Sequence, residues 1–169
     1  EITRPVNTDG GDISGLEFAF HQPFDAFTDG FFSHFGINAS FTWVDAQLDA
    51  VREGTGRFVE LRGTSDFSMN IVGYFEKGKF AARLAYNDRS DFLHQEAVSA
   101  IDFDEYTEGS EYVDLNLDWR FNRHWRLRFS ANNLTDSQRY RVFRTAGADY
   151  FSDLRNDGRT YVIELRGNM

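Results

Sequence analysis

Apolar and polar residues alternate with a period of two in seven separate segments of the chain. This is the spacing of a β-strand with one apolar face, because successive side chains of a strand point to opposite sides. In the clearest segment, Val113, Leu115 and Leu117 alternate with Asp114 and Asn116. The seven segments span residues 15–21, 35–43, 67–75, 80–89, 113–121, 125–132 and 160–166. The pattern predicts an all-β fold of about seven antiparallel strands.

The connections between these segments alternate in length. Residues 76–79 and 122–124 form tight turns, whereas the links at residues 45–65, 88–110 and 134–158 are each more than twenty residues long and polar. Compact soluble domains seldom contain unstructured loops of that length. Outer-membrane β-barrels have short periplasmic turns and long extracellular loops. The chain is therefore predicted to be a segment of a transmembrane antiparallel β-barrel, with the three long links on the extracellular side.

The composition agrees with strands that carry one apolar and one polar face. Aromatic residues make up 17% of the chain, yet its mean hydropathy is −0.52. Aromatics cluster at strand ends on the apolar face, with Phe75 and Phe80 around one short turn and Trp119, Phe121 and Trp125 around the other. Such a girdle is typical of a membrane interface. We therefore expect lipid contact, and exposure in the isolated protein, at residues 16, 18, 20, 113, 115, 117, 119, 127 and 129.

The main alternative is a small self-contained β-barrel with a structural, adhesion or ligand-binding role. A soluble barrel of that kind would turn its apolar face inward and its charges outward. Seven strands do not suit a closed membrane barrel, because bacterial single-chain barrels have even strand numbers. An open sheet in lipid would leave two edges of unpaired backbone groups, each group costing several kcal/mol. Further strands are therefore expected on a preceding segment or another chain, since residues 138–151 alternate too poorly to supply one.

Two motifs near the end of the chain point to a family. Residues 132–136 read Asn-Asn-Leu-Thr-Asp after an alternating strand, and residues 158–161 read Gly-Arg-Thr-Tyr at the start of the last one. The stretch from Thr-Arg-Pro-Val-Asn at residues 3–7 to Gly-Leu-Glu at residues 15–17 fits an earlier loop and strand. Together they resemble the C-terminal part of a TonB-dependent receptor. One departure is the ending Gly-Asn-Met at residues 167–169, where family members usually end in an aromatic residue.

The resemblance implies a fold, a location and a function. It implies a 22-stranded barrel in the bacterial outer membrane, with an N-terminal plug domain inside and a short box that engages TonB. Residues 1–169 would be the C-terminal part of that one barrel domain, without the plug and the earlier strands. The function implied is active uptake of a scarce nutrient, such as a siderophore, cobalamin or an oligosaccharide. The implied partners are outer-membrane lipid, the remaining strands and plug, TonB and a small-molecule substrate.

The polar face of the strands carries charged side chains that alternation directs to the lumen. They could contact a plug or a passing solute, or they could form a charge ladder on the wall. Cross-strand pairs of opposite charge add a few tenths to about 1 kcal/mol each. Both interpretations hold together if a plug fills the lumen. The lumen-facing residues expected are Arg83, Asp118, Arg120, Arg126, Arg128, Glu164 and Arg166.

Aromatic residues in the long links are the candidates for substrate contact. They could stack against a sugar, a siderophore or an aromatic solute, or they could pack the loops onto one another. These residues are Phe92, Phe103, Tyr106, Tyr140, Phe143 and Tyr150.

The remaining sequence features do not favour catalysis, a cofactor or nucleic acid. A net charge of −9 is opposite to the basic surface that nucleic-acid binding needs. The chain contains no cysteine, its four histidines lack metal-ligand spacing, and no nucleotide or hydrolase motif occurs. An acidic run at residues 102–105, with Glu108 and Glu111, could gather Ca²⁺. It lacks an EF-hand pattern and is better interpreted as a solvated loop, so no metal, no cofactor and no enzyme activity are expected.

Overall fold

The computed structural model describes residues 10–51, 58–96, 103–145 and 147–167, and this part of the chain forms twelve strands. Two short 3-10 turns, Phe24–Ala26 and Phe32–His34, connect the first two strands. The strands are β1 (Gly11–Pro23), β2 (Phe35–Val51), β3 (Phe58–Glu60), β4 (Phe67–Lys77), β5 (Phe80–Arg89), β6 (Phe92–Gln95), β7 (Asp104–Thr107), β8 (Ser110–Arg120), β9 (Trp125–Asn132), β10 (Arg139–Arg144), β11 (Asp149–Arg155) and β12 (Thr160–Gly167).

Seven long strands form one antiparallel sheet, here called the wall sheet, in the order β1-β2-β4-β5-β8-β9-β12. The short strand β3 pairs with β2 outside this row. Each of the seven strands coincides with one of the segments that alternation predicts, with β8 ending at Arg120, one residue before the end of its segment. Successive segments along the chain are neighbours in the sheet. The prediction of an all-β, antiparallel barrel segment of about seven strands is confirmed.

The register of the wall sheet keeps one face apolar across every strand. Leu84 lies opposite Leu115, Leu115 opposite Ala131, and Ala131 opposite Tyr161. Directly opposite residues of an antiparallel pair share a face, so these four side chains form one apolar row. Polar side chains predominate on the other face, as where Arg83 lies opposite Asn116. A slip of one residue in any pairing would exchange the two faces, and therefore the alternation of each strand fixes the register.

The apolar side chains of the wall sheet do not form a core. Among the described residues, the buried hydrophobic side chains are Leu93 and Ala131 alone. Large apolar groups of the apolar face stay open instead: Leu16 is 66% exposed, Phe18 52% and Trp119 51%. The apolar residues of the central strands, such as Leu117, are half-buried against their neighbours on that face. No helix within the described ranges is long and apolar enough to cross a membrane.

A second sheet, here called the loop sheet, forms from the two long links after β5 and β9. Its order is β11-β10-β7-β6. The interpretation of these links as long loops is incomplete, because more than half of their described residues belong to strands. The stretch at residues 138–151, judged too irregular for a strand, contains β10, which pairs with β7 and β11 instead of the wall sheet. The first long link also begins as strand, since β2 continues to Val51.

Both lateral edges of the wall sheet are unpaired within the described part of the chain. β12 pairs with β9, from Thr160 opposite Asn132 to Gly167 opposite Trp125. β1 pairs with β2 along its whole length and makes no ladder with β12. The described residues therefore form a wall segment with two free edges, and the loop sheet follows the strand ends opposite the short turns.

Candidate functional site: the polar face and the loop sheet

Asp118 lies between two arginines of the neighbouring strand on the polar face. Arg126 Nε donates to Asp118 Oδ1 at 2.6 Å, and Arg128 Nη2 donates to Asp118 Oδ2 at 3.1 Å. Asp118 is directly opposite Arg128, and the two arginines are two residues apart on β9, so alternation directs all three side chains to one face. One carboxylate therefore holds two guanidinium groups in fixed positions.

These three residues line a groove of about 590 Å³ at the end of the polar face near the short turns. Arg83 enters it from β5 and donates to Glu76 at 3.0 Å. Lys79, in the turn, donates to the backbone carbonyl of Phe121 at 3.1 Å. The groove, here called the basic groove, is lined by six cations and two carboxylates: Lys77, Lys79, Arg83, Arg120, Arg126 and Arg128 against Glu76 and Asp118. It is therefore locally positive, although the whole chain is acidic.

The two remaining lumen candidates lie beside the basic groove on β12. Glu164 is opposite Arg128 and Arg166 is opposite Arg126. Arg166 Nη2 donates to Glu164 Oε1 at 2.6 Å, which places opposite charges along the strand. All seven predicted lumen-facing residues thus lie on the polar face, five of them in the groove. Whether they contact a plug or a solute stays a prediction.

Higher on the same face is a second pocket that the sequence did not single out. Its volume is about 390 Å³, and it is lined mainly by neutral hydrogen-bonding side chains, together with Met69, Asp88 and Arg89 of the wall sheet and Arg139 of the loop sheet. Ser40, Asn70, Asn87 and Tyr112 lie directly opposite one another on β2, β4, β5 and β8. They form a single row across four adjacent strands. The polar positions of each strand are visible in the sequence, but their alignment in one row depends on the strand pairing.

The Asn-Asn-Leu-Thr-Asp motif forms the turn that leaves β9. Asn133 adopts a positive φ of 55°, which asparagine tolerates better than most residues. Its buried side-chain amide donates to the carbonyls of Ser137 and Gly158, and its side-chain oxygen accepts from the Ser137 backbone N–H. The backbone N–H of Asn133 donates to Asp114 at 2.8 Å. The motif therefore connects β8 and β9 to the residues that precede β12.

Three of the six loop aromatics pack inside the loops. Phe92 lies beneath the guanidinium of Arg89 at 4.1 Å, and Tyr106 beneath that of Arg144 at 4.4 Å. The first of these cation–π contacts joins the end of β5 in the wall sheet to β6, and the second joins β10 to β7 within the loop sheet. The third is Phe103, whose ring stacks on that of Tyr150 at 6.1 Å between centroids.

The other three loop aromatics differ in exposure. Phe143 is half-buried, whereas Tyr140 and Tyr150 are exposed. Of these six candidates, Tyr140 and Tyr150, with Phe103 against the latter, therefore present the rings that a solute outside the loops can reach. Substrate contact by any of the six stays a prediction.

Glu105 is a buried carboxylate that contacts a side chain from each of the other three strands of the loop sheet. It is 6% exposed. Its Oε2 lies 3.8 Å from His94 Nε2 of β6 and 3.9 Å from Arg141 Nη1 of β10, and its Oε1 accepts from the hydroxyl of Ser152 of β11. A buried carboxylate requires such partners, because desolvation penalises its charge. Glu105 therefore specifies how the four strands assemble.

Arg144 is a second such centre on the opposite face of the loop sheet. Its guanidinium contacts Asp91 at 2.6 Å, Glu108 at 3.1 Å and Asp149 at 3.6 Å. Burial lowers the pKa of Arg144, but the hydrogen bond to Asp91 and the three negative charges outweigh it and leave that pKa above its ordinary value. The arginine stays charged and ties the ends of β5, β7 and β11 together.

Metal binding finds no support in the described ranges, where no group of three or more His, Asp or Glu could hold an ion. Within the acidic run, Glu105 and Glu108 are engaged by arginines, and residue 102 lies outside the described part. Glu105 and Glu108 therefore contribute to the stability of the loop sheet.

Comparison with known families decides the class of the wall sheet. A family model described as TonB dependent receptor-like, beta-barrel, matches residues 2–134. The chain belongs to this family. TonB-dependent receptors are transporters of the outer membrane, and the matched region includes β1 to β9 and the first residues of the Asn-Asn-Leu-Thr-Asp motif. No curated protein and no solved structure matched the chain significantly.

Proposed function

We propose that this chain forms wall strands and extracellular loops of a transporter that actively imports a scarce nutrient across the outer membrane. The observation that carries the proposal is the wall sheet of a TonB-dependent receptor with one continuous apolar and one predominantly polar face. Lipid requires an apolar exterior, and a solute path requires a polar interior. Siderophores, cobalamin and oligosaccharides are substrate classes consistent with this role.

In this proposal, further strands of the same transporter close the two free edges of the wall sheet. An unpaired edge would expose backbone N–H and C=O groups to hydrocarbon, and barrels avoid this by closing. The wall strands of this chain would supply about a third of a 22-stranded plugged barrel. Residues 1–169 would then be the C-terminal part of one barrel domain.

The plug of the transporter would pack against the polar face. The basic groove offers it fixed guanidinium groups, with Asp118 holding Arg126 and Arg128 in position. An acidic or hydrogen-bonding segment of the plug would complement this charge. TonB would act through the N-terminal box of the plug, outside residues 1–169.

Substrate capture would involve the extracellular loops. Tyr140 and Tyr150 present exposed rings, and Phe103 supports Tyr150 from behind. Phe92 and Tyr106 would act indirectly, by holding the loop sheet in place under Arg89 and Arg144. Phe143, half-buried on β10, would take part only if the loops open.

Energy-dependent uptake tests the proposal. The complete transporter would be expressed in the outer membrane of a host strain with and without TonB, and the accumulation of labelled ferric siderophore, cobalamin and oligosaccharide would be measured. We expect one class to accumulate in cells with TonB and not in cells without it. Equal accumulation of every class in both strains would contradict active import. A closed, heat-modifiable monomer formed by residues 1–169 alone would favour a self-contained barrel.

A further inference from the structure

The second pocket on the polar face, here called the row pocket, is lined by a continuous set of hydrogen-bonding groups. The carboxylate in its lining, Asp88, lies opposite Met69, so alternation directs it to the apolar face. Arg89 also lines the pocket, and its guanidinium is bonded to Ser65 and to the backbone carbonyl of Gly63.

The row of Ser40, Asn70, Asn87 and Tyr112 crosses four strands and spans about 14 Å at the usual spacing between strands. Ser68, one pair further along, adds another hydroxyl. The alternation that brings charges to the basic groove brings amides and hydroxyls here.

The row keeps free hydrogen-bonding capacity. The Asn70 side-chain amide donates to the side-chain oxygen of Asn87. This bond leaves the Asn70 carbonyl oxygen and the Asn87 amino group available, since each asparagine can make several bonds. Within the described residues, no side-chain hydrogen bond engages the hydroxyls of Ser40 and Ser68. A ligand with several hydroxyl groups could therefore both donate to and accept from this row.

Arg139 adds a positive charge at the rim of the row pocket. It is the first residue of β10 and is half-buried. Across the described ranges, no carboxylate forms an ion pair with its guanidinium and no side-chain hydrogen bond engages it. The neighbouring Arg155, opposite it on β11, is bound to Asp157 at 2.9 Å and interacts with Tyr112. A half-buried guanidinium without an acid partner favours an anionic group supplied by a ligand.

We infer that the row pocket binds a hydroxyl-rich ligand that carries an acidic group, the chemistry of an acidic saccharide. The hydroxyls would bond to the row of Ser40, Asn70, Asn87 and Tyr112, and the carboxylate would bind Arg139. This inference rests on the proposed import function and names the substrate class that the polar face accepts. A cationic solute would be repelled by Arg139, and an apolar solute would leave the hydrogen-bonding groups of the row without partners.

The basic groove is consistent with the same substrate class. It lies on the same face, about 20 Å further along the strands, because Tyr112 and Asp118 are six residues apart on β8. Once the plug leaves the basic groove, a solute that moves from the row pocket toward the periplasmic end would reach a second cationic zone. In an acidic chain of net charge −9, two cationic positions along one solute path are suited to an anion.

The test is a binding titration of the complete transporter in detergent, which requires no TonB. The probes are trigalacturonate, a glucuronate trisaccharide, and the carboxyl-reduced neutral counterpart of each. The variants are Arg139→Gln, Tyr112→Phe and a control, Arg123→Gln, which removes the same charge in an exposed turn at the other end of the strands. Heat-modifiable migration in gels would establish that each variant is folded.

We expect wild type to bind at least one acidic trisaccharide more tightly than its neutral counterpart. Arg139→Gln should raise the Kd of the acidic probe by about tenfold and leave the neutral one unchanged, because only the charge-assisted bond is lost. Tyr112→Phe should weaken the binding of both the acidic trisaccharide and its neutral counterpart. Arg123→Gln should change the binding of neither.

The inference is overturned if wild type binds neither acidic probe, or if Arg139→Gln binds the acidic probe as tightly as wild type does. TonB-dependent accumulation of another substrate in the same cells would then leave the proposed function standing. If the acidic probe binds in a way that depends on Arg139 but no uptake depends on TonB, the inference about the row pocket stands and the proposal of active import is wrong.

Discussion

The ring of Tyr74 lies across the backbone of Gly36, its direct partner on the neighbouring strand. A methyl group at Gly36 would lie 2.2 Å from both the ring and the hydroxyl of Tyr74, and Gly36 is buried. The ring of His21 stacks on Tyr74 at 6.3 Å, with an interplanar angle of 10°. Glycine at this position therefore provides the space that lets two aromatic side chains lie flat on the polar face.

We expect Gly36→Ala to destabilise the barrel by about 1–3 kcal/mol, the usual cost of overpacking. The control is Gly73→Ala, on the opposite face of β4, where an added methyl would meet no atom within 4 Å. The measurement is urea unfolding of the complete protein in lipid vesicles. Tyr74→Ala in the Gly36→Ala background should recover part of the loss. Equal effects of the two glycine substitutions would show that Tyr74 does not occupy the space at Gly36.

A second prediction concerns the assignment of the two faces. Leu117 lies opposite Ala82 and Phe129 on the apolar face, and Asn116 lies opposite Arg83 and Ser130 on the polar face. In a bilayer, Leu117→Arg should cost about 2–4 kcal/mol, because it places a charge in hydrocarbon. Asn116→Arg should cost about 1 kcal/mol, from the lost bond to Ser130 and repulsion by Arg83. A refolding titration into vesicles in which both cost the same would contradict the assignment.

The wall sheet could be predicted from the sequence because each strand carries its own apolar period. Alternation places Leu115 and Leu117 on one face and Asn116 and Asp118 on the other, and lipid on one side preserves the pattern over a whole strand. The extension of β2 was missed because its apolar phase changes after Trp43. Val44 and the apolar residues that follow it alternate on the other face.

The loop sheet could not be predicted in this way. Its strands are four to seven residues long, and bulges shift the register between Leu93 and Gln95 and between Arg141 and Val142. A bulge interrupts the period of two on which the prediction depends. The sheet is also held by ion pairs between distant residues, such as that of Arg144 with Asp91, which no local pattern encodes.

A third prediction concerns alkaline pH and Tyr106 of the loop sheet. Burial raises the pKa of the Tyr106 hydroxyl above its ordinary value of about 10, and the hydrogen bond to Glu60 with its negative charge raises it further. Arg144, over the ring, acts in the opposite direction. The folded state thus favours the neutral phenol. The neutral Tyr106 hydroxyl contributes fully to the stability of the loop sheet below about pH 10. This contribution is lost as the pH rises through the raised pKa of Tyr106.

Tyrosinate absorbance and hydrogen exchange of β7, both followed against pH, measure this effect. The difference titration between wild type and Tyr106→Phe should show that the hydroxyl of Tyr106 ionises above the ordinary tyrosine pKa of about 10. The comparison is Tyr140→Phe, at an exposed position of the same sheet. In Tyr106→Phe, the loosening of β7 above pH 10 should be smaller than in wild type. A Tyr106 hydroxyl that ionises at the ordinary pKa of about 10 would contradict the burial and the contact with Glu60.

The last prediction concerns closure of the barrel between β1 and β12. Strand direction alternates along the seven-stranded wall, so its first and last strands run the same way and cannot pair in an antiparallel barrel. The six intervals between them span about 29 Å along the sheet. A disulfide needs Cβ atoms about 3.5–4.5 Å apart. Phe18→Cys combined with Ile163→Cys should therefore form no disulfide in the complete transporter.

Neighbouring-strand pairs serve as positive controls for this experiment. Phe18 lies directly opposite Phe41, and Phe129 directly opposite Ile163, so cysteines at those pairs should cross-link under the same oxidation. The 169 residues contain no cysteine that would compete. If the pair at Phe18 and Ile163 cross-links as readily as the controls, the two edges meet each other. The wall would then close within this chain, and the larger barrel proposed above would be wrong. Cross-linking of the controls alone requires other strands at both edges, because free edges are not tolerated in lipid.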